Sequence, residues 1–161
     1  MRAADSELGT LQQLGRAVKA AQYRHHRWAD RELGAIGTTL PQWDALRAIA
    51  RHPGSSAHWL AGETFMSDQA FGTLASRLVD QGLVVRTPGH GRRVEHDLTE
   101  AGRAMYEAGS RVADAVLTES FGDLDDAERA TLLALLSRIG NGGPAHAPGG
   151  GSASNSTRSA R

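Results

Sequence analysis

Two groups of side chains in this sequence have the types and spacing for chemistry. The first is the run Thr87-Pro88-Gly89-His90-Gly91-Arg92-Arg93, in which proline and glycines dictate a turn and Arg92 and Arg93 stand at its tip, with Arg86 just before it. Guanidinium forks match phosphate oxygens and guanine edges, so an arginine-tipped turn is equipped to meet nucleic acid. The second group is Tyr23, His26, Arg27, Trp28, Trp43 and Arg47, a concentration of rings and cations in a chain that is only 5% aromatic. That mixture suits a pocket for a small aromatic, anionic molecule, and the competing reading is hinge packing beside solvated arginines.

Other chemistry is poorly supplied. With no cysteine, thiolate metal sites, disulfides, thiol nucleophiles and thiol-oxidation switches are excluded. Seven histidines raise the possibility of a metal-responsive protein. His25 and His26, however, are adjacent and point about 100° apart on a helix, which is not the i, i+4 pair that one metal wants. His25 on an apolar stripe reads as structural; His52 and His58 flank a loop, and phosphate proximity accounts for His90 and His96. No metal site and no cofactor are expected. A phosphate loop, a Gly-x-Ser-x-Gly elbow and a His-Glu-x-x-His helix are all missing, so the chain is not expected to be an enzyme.

The elements that would hold these groups follow from periodicity. Leu8, Leu11, Leu14, Val18, Ala21, His25 and Trp28 recur at three- and four-residue steps, the stripe of one long helix over about residues 6–33. Pro41 suits a first helical turn, and Trp43, Leu46, Ile49 and Ala50 give a second helix that ends at His52-Pro53-Gly54. A short helix over about 56–63 precedes a fourth that Ser67 can cap, with Phe71, Leu74, Ala75 and Leu78 inward and Gly82 at its end. The period then changes to two. Residues 83–86 and the alternation Val94, His96, Leu98 predict a hairpin. Thr99 can cap a long helix through Val116, and Asp125 with Glu128 forms a capping box for a last one carrying Leu132, Leu135, Leu136 and Ile139. The stretch 140–161, dense in Gly, Ser, Ala and Pro, reads as a disordered tail.

Two short helices joined by a tight turn and followed by a hairpin make the plan of a winged helix-turn-helix. The ordered set Leu40-Pro41-Gln42-Trp43-Asp44-Ala45-Leu46, Leu83-Val84-Val85-Arg86, the turn arginines, Leu98-Thr99-Glu100-Ala101-Gly102, and Leu124-Asp125-Asp126-Ala127-Glu128 resembles the MarR family of bacterial transcriptional regulators over residues 8–139. The resemblance implies a homodimer built from the first and last helices that binds a pseudo-palindromic double-stranded operator, as a repressor, and releases it when a small molecule such as a phenolic acts. It also places recognition-helix contacts on Ser67, Asp68, Gln69, Gly72, Thr73 and Arg77 and the wing arginine on Arg92. Two departures stand out: His90 where the family commonly has an acid, and a plain recognition helix in which Asp68 adds negative charge. Asp68 suits the first helical turn electrostatically or can accept from cytosine, and Gln69 can pair with adenine.

The expectation is therefore a mainly α fold with a small β-hairpin: an N-terminal dimerisation helix (1–36), a winged helix-turn-helix region (37–99), C-terminal dimerisation helices (100–139) and the tail. Candidate DNA contacts are the residues named on the fourth helix with Arg86, His90, Arg92 and Arg93. Formal net charge is zero, so any basic surface must be local. No membrane association is expected, because no apolar run nears the about 18 residues of a span. The opening residues lack a signal-peptide core, which makes a cytoplasmic protein the default. The alternative is a winged helix that binds protein rather than DNA.

Overall fold

The computed structural model describes residues 2–89 and 94–142. Its order is α1 (Arg2–Gly34), α2 (Leu40–Arg51), β1 (Ser55–Ser56), α3 (Ala57–Glu63), α4 (Asp68–Asp80), β2 (Val84–Pro88), β3 (Val94–Leu98), α5 (Glu100–Ser120) and α6 (Asp126–Gly142). The described residues up to Gly122 form one compact unit and those from Asp123 a second. The fold is the expected mainly helical winged helix-turn-helix, with one strand more than the sequence announced.

Local chemistry starts most of these elements. Thr39 and Gln42 form a reciprocal capping box at α2, with Pro41 in its first turn. Ser56, Ser67 and Thr99 cap α3, α4 and α5 by accepting from the backbone N–H groups of Trp59, Ala70 and Gly102. At α6 the Glu128 N–H donates to Asp125 Oδ1 while Glu128 Oε2 accepts from the Asp125 N–H, both at 2.9 Å. Gly82 ends α4 at φ +71°, and the Gly82 carbonyl accepts from Thr99 Oγ1 at 2.7 Å, so the turn before the hairpin is tied to the turn after it.

Three strands order as β1-β3-β2, all antiparallel. β1 has only two residues, both serine, and exists because Ser55 and Ser56 pair with His96 and Glu95; no local pattern encodes it. β2 runs two residues further than the β-prone run 83–86 suggested, to Pro88. Proline is tolerated there because β2 is an edge strand whose outer side needs no ladder donor.

The core of the head joins α2 (Ala45, Leu46, Ala48, Ile49), α3 (Leu60, Ala61), α4 (Phe71, Ala75, Leu78) and β2 (Val84). Trp43, Ala50 and Leu74, expected inward, are only half-buried. α5 buries a seam of small residues, Gly102, Gly109 and Ala113, with Val116. Any side chain at Gly102 would run into the Leu83 carbonyl, and any at Gly109 into the Trp43 indole, so these glycines set how closely α5 approaches the turn before β2 and helix α2. Among the α1 residues whose burial is described, 9–34, only Ala29 and Leu33 are buried; Leu11, Leu14, Val18 and Tyr23 are 41–58% exposed. α6 likewise leaves Leu133, Leu135, Leu136 and Ile139 exposed. It extends to Gly142, three residues into the segment expected as tail, and the remaining tail residues, 143–161, lie outside the described residues.

Candidate nucleic-acid interface

The α3 and α4 helices are joined by the turn 64–67, in which the Met66 N–H donates to Ala61 O at 2.9 Å and Phe65 takes a left-handed φ of +55°. This turn, not visible as glycine in the sequence, brings Ser67 to the start of α4. Phe71, Ala75 and Leu78 then face the core at i, i+4 and i+7, which leaves Gln69, Thr73 and Arg77 at i, i+4 and i+8 in solvent along the opposite face. Gly72 and Ser76 lie between these faces, half-buried. Thr73 Oγ1 bonds back to Gln69 O, and Arg77 takes part in no ion pair among the described residues.

Asp68 is not isolated at the head of the helix. His58 of α3 sits with Nδ1 at 2.9 Å from Asp68 Oδ2 and 3.0 Å from Oδ1, which ties the first helix of the pair to the first turn of the second. Ten residues and a turn separate the two, so nothing local in the sequence marks His58 as the partner of Asp68.

Arg86, on β2, is held more closely than an open phosphate ligand. Its Nε lies 3.3 Å from His96 Nε2 and its Nη2 donates to Ser76 Oγ at 3.0 Å. His96 itself is only 2% exposed and turned inward, which corrects its placement on the wing surface near phosphate. Burial, and after it the Arg86 charge, holds its pKa below the ordinary value near 6.5; the Ser55 carbonyl and Asp97 oppose this. The signal was present in the alternation of β3, which already put His96 on the same side as Leu98. His90, Arg92 and Arg93 lie outside the described residues.

The candidate effector residues form two local pairs. Arg27 donates to the Tyr23 hydroxyl at 3.2 Å on α1. On α2 the Arg47 guanidinium lies 5.5 Å from the centre of the Trp43 ring and binds Asp44, while Trp43 Nε1 donates to Ser110 Oγ of α5 at 3.4 Å. His26 is exposed and Trp28 half-buried, and no described contact joins the two pairs. His25 Nε2 is buried without a hydrogen-bond partner. Among the described residues no three His, Asp or Glu side chains cluster as a metal site requires, and no helix is long and apolar enough to cross a membrane.

Comparison with known proteins finds likenesses to this geometry. The MarR family model matches residues 36–93, from before α2 to the wing. The HTH-type transcriptional repressor Rv2887 of Mycobacterium tuberculosis is 29% identical over 111 residues, 68% of this chain and 80% of the relative. Among solved structures, a mutant of MarR from E. coli complexed with operator DNA superposes with a TM-score of 0.75 at 25% identity, over 81% of this chain and 95% of that one. The Rv2887 protein complexed with p-aminosalicylic acid gives a TM-score of 0.64 at 26% identity, over 79% and 98%. A helix pair with a hairpin would fit many winged-helix proteins, but the likeness reaches well beyond residues 36–93: over some four-fifths of its length the chain is similar to solved MarR-family proteins.

Proposed function

We propose that the protein is a homodimeric, sequence-specific DNA-binding transcriptional regulator, acting as a repressor, and that a small aromatic or phenolic molecule lowers its affinity for its operator. The observation that carries the reading is the solvent-facing row Gln69, Thr73 and Arg77 on α4, a helix narrow enough for a major groove and started by a fixed cap beside the β2–β3 hairpin. Gln69 suits adenine and Arg77 suits phosphate or guanine; the reading assigns further contacts to Ser67, Asp68, Gly72 and Thr73 at α4, to Arg86 of β2, and to His90, Arg92 and Arg93 of the segment between β2 and β3.

The dimer is supported by α1. A row of apolar side chains exposed along some ten residues is more than a monomer ordinarily leaves in water, and α6 carries a further exposed leucine face. The effector reading is supported by the Trp43–Arg47 pair, a ring with a cation beside it, and by the salicylate-type ligand bound to the Rv2887 relative. Such a ligand acts only through preferring a head arrangement that misfits DNA, so DNA must weaken its binding by the same factor.

The test is duplex selection from a random library, followed by titration against a scrambled control over a range of salt. A dimer should enrich a pseudo-palindrome with half-sites about 10 base pairs apart. Arg77→Ala should lower the slope of log affinity against log salt by about 0.9. Equal binding to enriched and scrambled duplexes refutes the reading and leaves the winged helix as a protein-binding module.

A further inference from the structure

His96, Arg86 and Ser55 stand in one row across the sheet, since β3 pairs His96 with Arg86 on one side and with Ser55 on the other. The hydrogen bonds along this row admit one arrangement of protons. His96 Nδ1 is 3.2 Å from the Ser55 carbonyl, which can only accept, so Nδ1 carries the hydrogen. Nε2 is then the bare nitrogen, and it accepts from Arg86 Nε. Arg86 Nη2 donates to Ser76 Oγ, whose own proton goes to the Gly72 carbonyl of α4 at 3.0 Å. One chain of bonds therefore crosses β1, β3, β2 and α4.

We propose that His96 and Arg86 are positioning residues of the DNA-reading head, which fix the wing hairpin to the recognition helix through Ser76; the proposal rests on the DNA-binding reading above. Helix and wing must meet DNA at separate places with their spacing held to a fraction of an ångström, and β2 is an edge strand with no further strand to hold it. Its link to α4 through Arg86 supplies that hold. A neutral His96 is required, because a proton on Nε2 would set a donor and a positive charge against the guanidinium. Phe71 of α4 lies edge-on to the ring at 6.4 Å, and His96 as a whole is only 2% exposed.

The experiment uses the full chain and a 30-base-pair duplex enriched by the wild-type protein from a random library. Ser76→Ala and His96→Leu each break the bridge without removing a charge, and each should bind about tenfold more weakly, which is about 1.4 kcal/mol. The double variant should bind no more weakly than either single one, since a chain is broken only once. His96→Gln, which can place an amide oxygen near the Nε2 position, should bind within twofold of wild type. The imidazole ¹⁵N spectrum of the unliganded protein should show His96 protonated on Nδ1 alone. Wild-type affinity in Ser76→Ala, additive losses in the double variant, or a proton on Nε2 each overturns the proposal, and Ser76→Ala and the spectrum decide it even if His96→Leu does not fold. Failure of the wild type to enrich any duplex overturns the DNA-binding reading and this proposal with it; enrichment with Ser76→Ala unaffected overturns this proposal alone.

Discussion

Replacing Phe65 by glycine should make the protein more stable, although it deletes a large apolar side chain. Phe65 sits in the α3–α4 turn at φ +55°, where its Cβ crowds the backbone, and a non-glycine residue held there costs about 1–2 kcal/mol. Its ring is 97% exposed, so no packing is lost with it. The N–H of residue 65 donates to Gly62 O at 3.2 Å, a bond that glycine keeps. Against the relief stands the extra freedom of glycine in the unfolded chain, about 0.4–1 kcal/mol. The difference is about 0.5–1 kcal/mol in favour of glycine, which in a chain of this size raises the melting temperature by about 2–3 °C.

Phe65→Ala is the control, because alanine keeps the Cβ and hence the strain while losing the ring. It should melt close to wild type, and the gap between the alanine and glycine variants then isolates the backbone contribution. Denaturant unfolding at one fixed protein concentration reads both, since association would otherwise shift the midpoint. In an unstrained position glycine is the less stable of the two by about 0.5–1 kcal/mol, so the sign itself is diagnostic. A Phe65→Gly protein no more stable than Phe65→Ala would show that the turn does not store this strain.

Thr99→Val keeps the shape of the side chain but removes both the cap on α5 and the donor to Gly82 O, and should cost about 2 kcal/mol in denaturant unfolding. Gly109→Ala forces a methyl into the Trp43 indole and should lower stability by about 1–3 kcal/mol, with a change in tryptophan emission as the ring is displaced. The depressed pKa of His96 means that the unfolded chain takes up the proton first as pH falls. Its contribution is thus fully present above about pH 6.5 and is lost below it, as pH falls toward the folded-state value, and His96→Gln should flatten that part of the stability profile.

The sequence spoke clearly wherever a single residue type governs a local event. Ser67, Thr99 and the Asp125–Glu128 pair announce helix starts because a side-chain oxygen three residues ahead of an N–H is a local geometry, and Pro41 and Gly82 mark a start and an end for equally local reasons. β1 was invisible because two serines become a strand only when β3 lies beside them. The left-handed turn was hidden by a phenylalanine in a position where a glycine would have declared it. At the candidate site, the periodicity of α4 separated Gln69, Thr73 and Arg77 from the buried face. The partners of Asp68 and Arg86 come from elements ten residues or more away, and only the assembled fold joins them.

Those partners bear on how a chain of zero net charge can read a polyanion in the proposed way. Without an excess of positive charge there is little long-range attraction, so affinity must come from contacts made at close range and held in place beforehand. Asp68, a carboxylate at the very end of the helix that would enter the groove, is engaged by His58, and its charge also favours the α4 N-terminus. Arg86 is kept close to α4 by Ser76 and His96, where it would otherwise wander with the edge strand. An arrangement of this kind trades the number of phosphate contacts for the rigidity of a few. It follows that salt should weaken binding with a shallow slope, while substitutions that loosen the bridge should reduce discrimination between sequences more than they reduce binding to DNA in general.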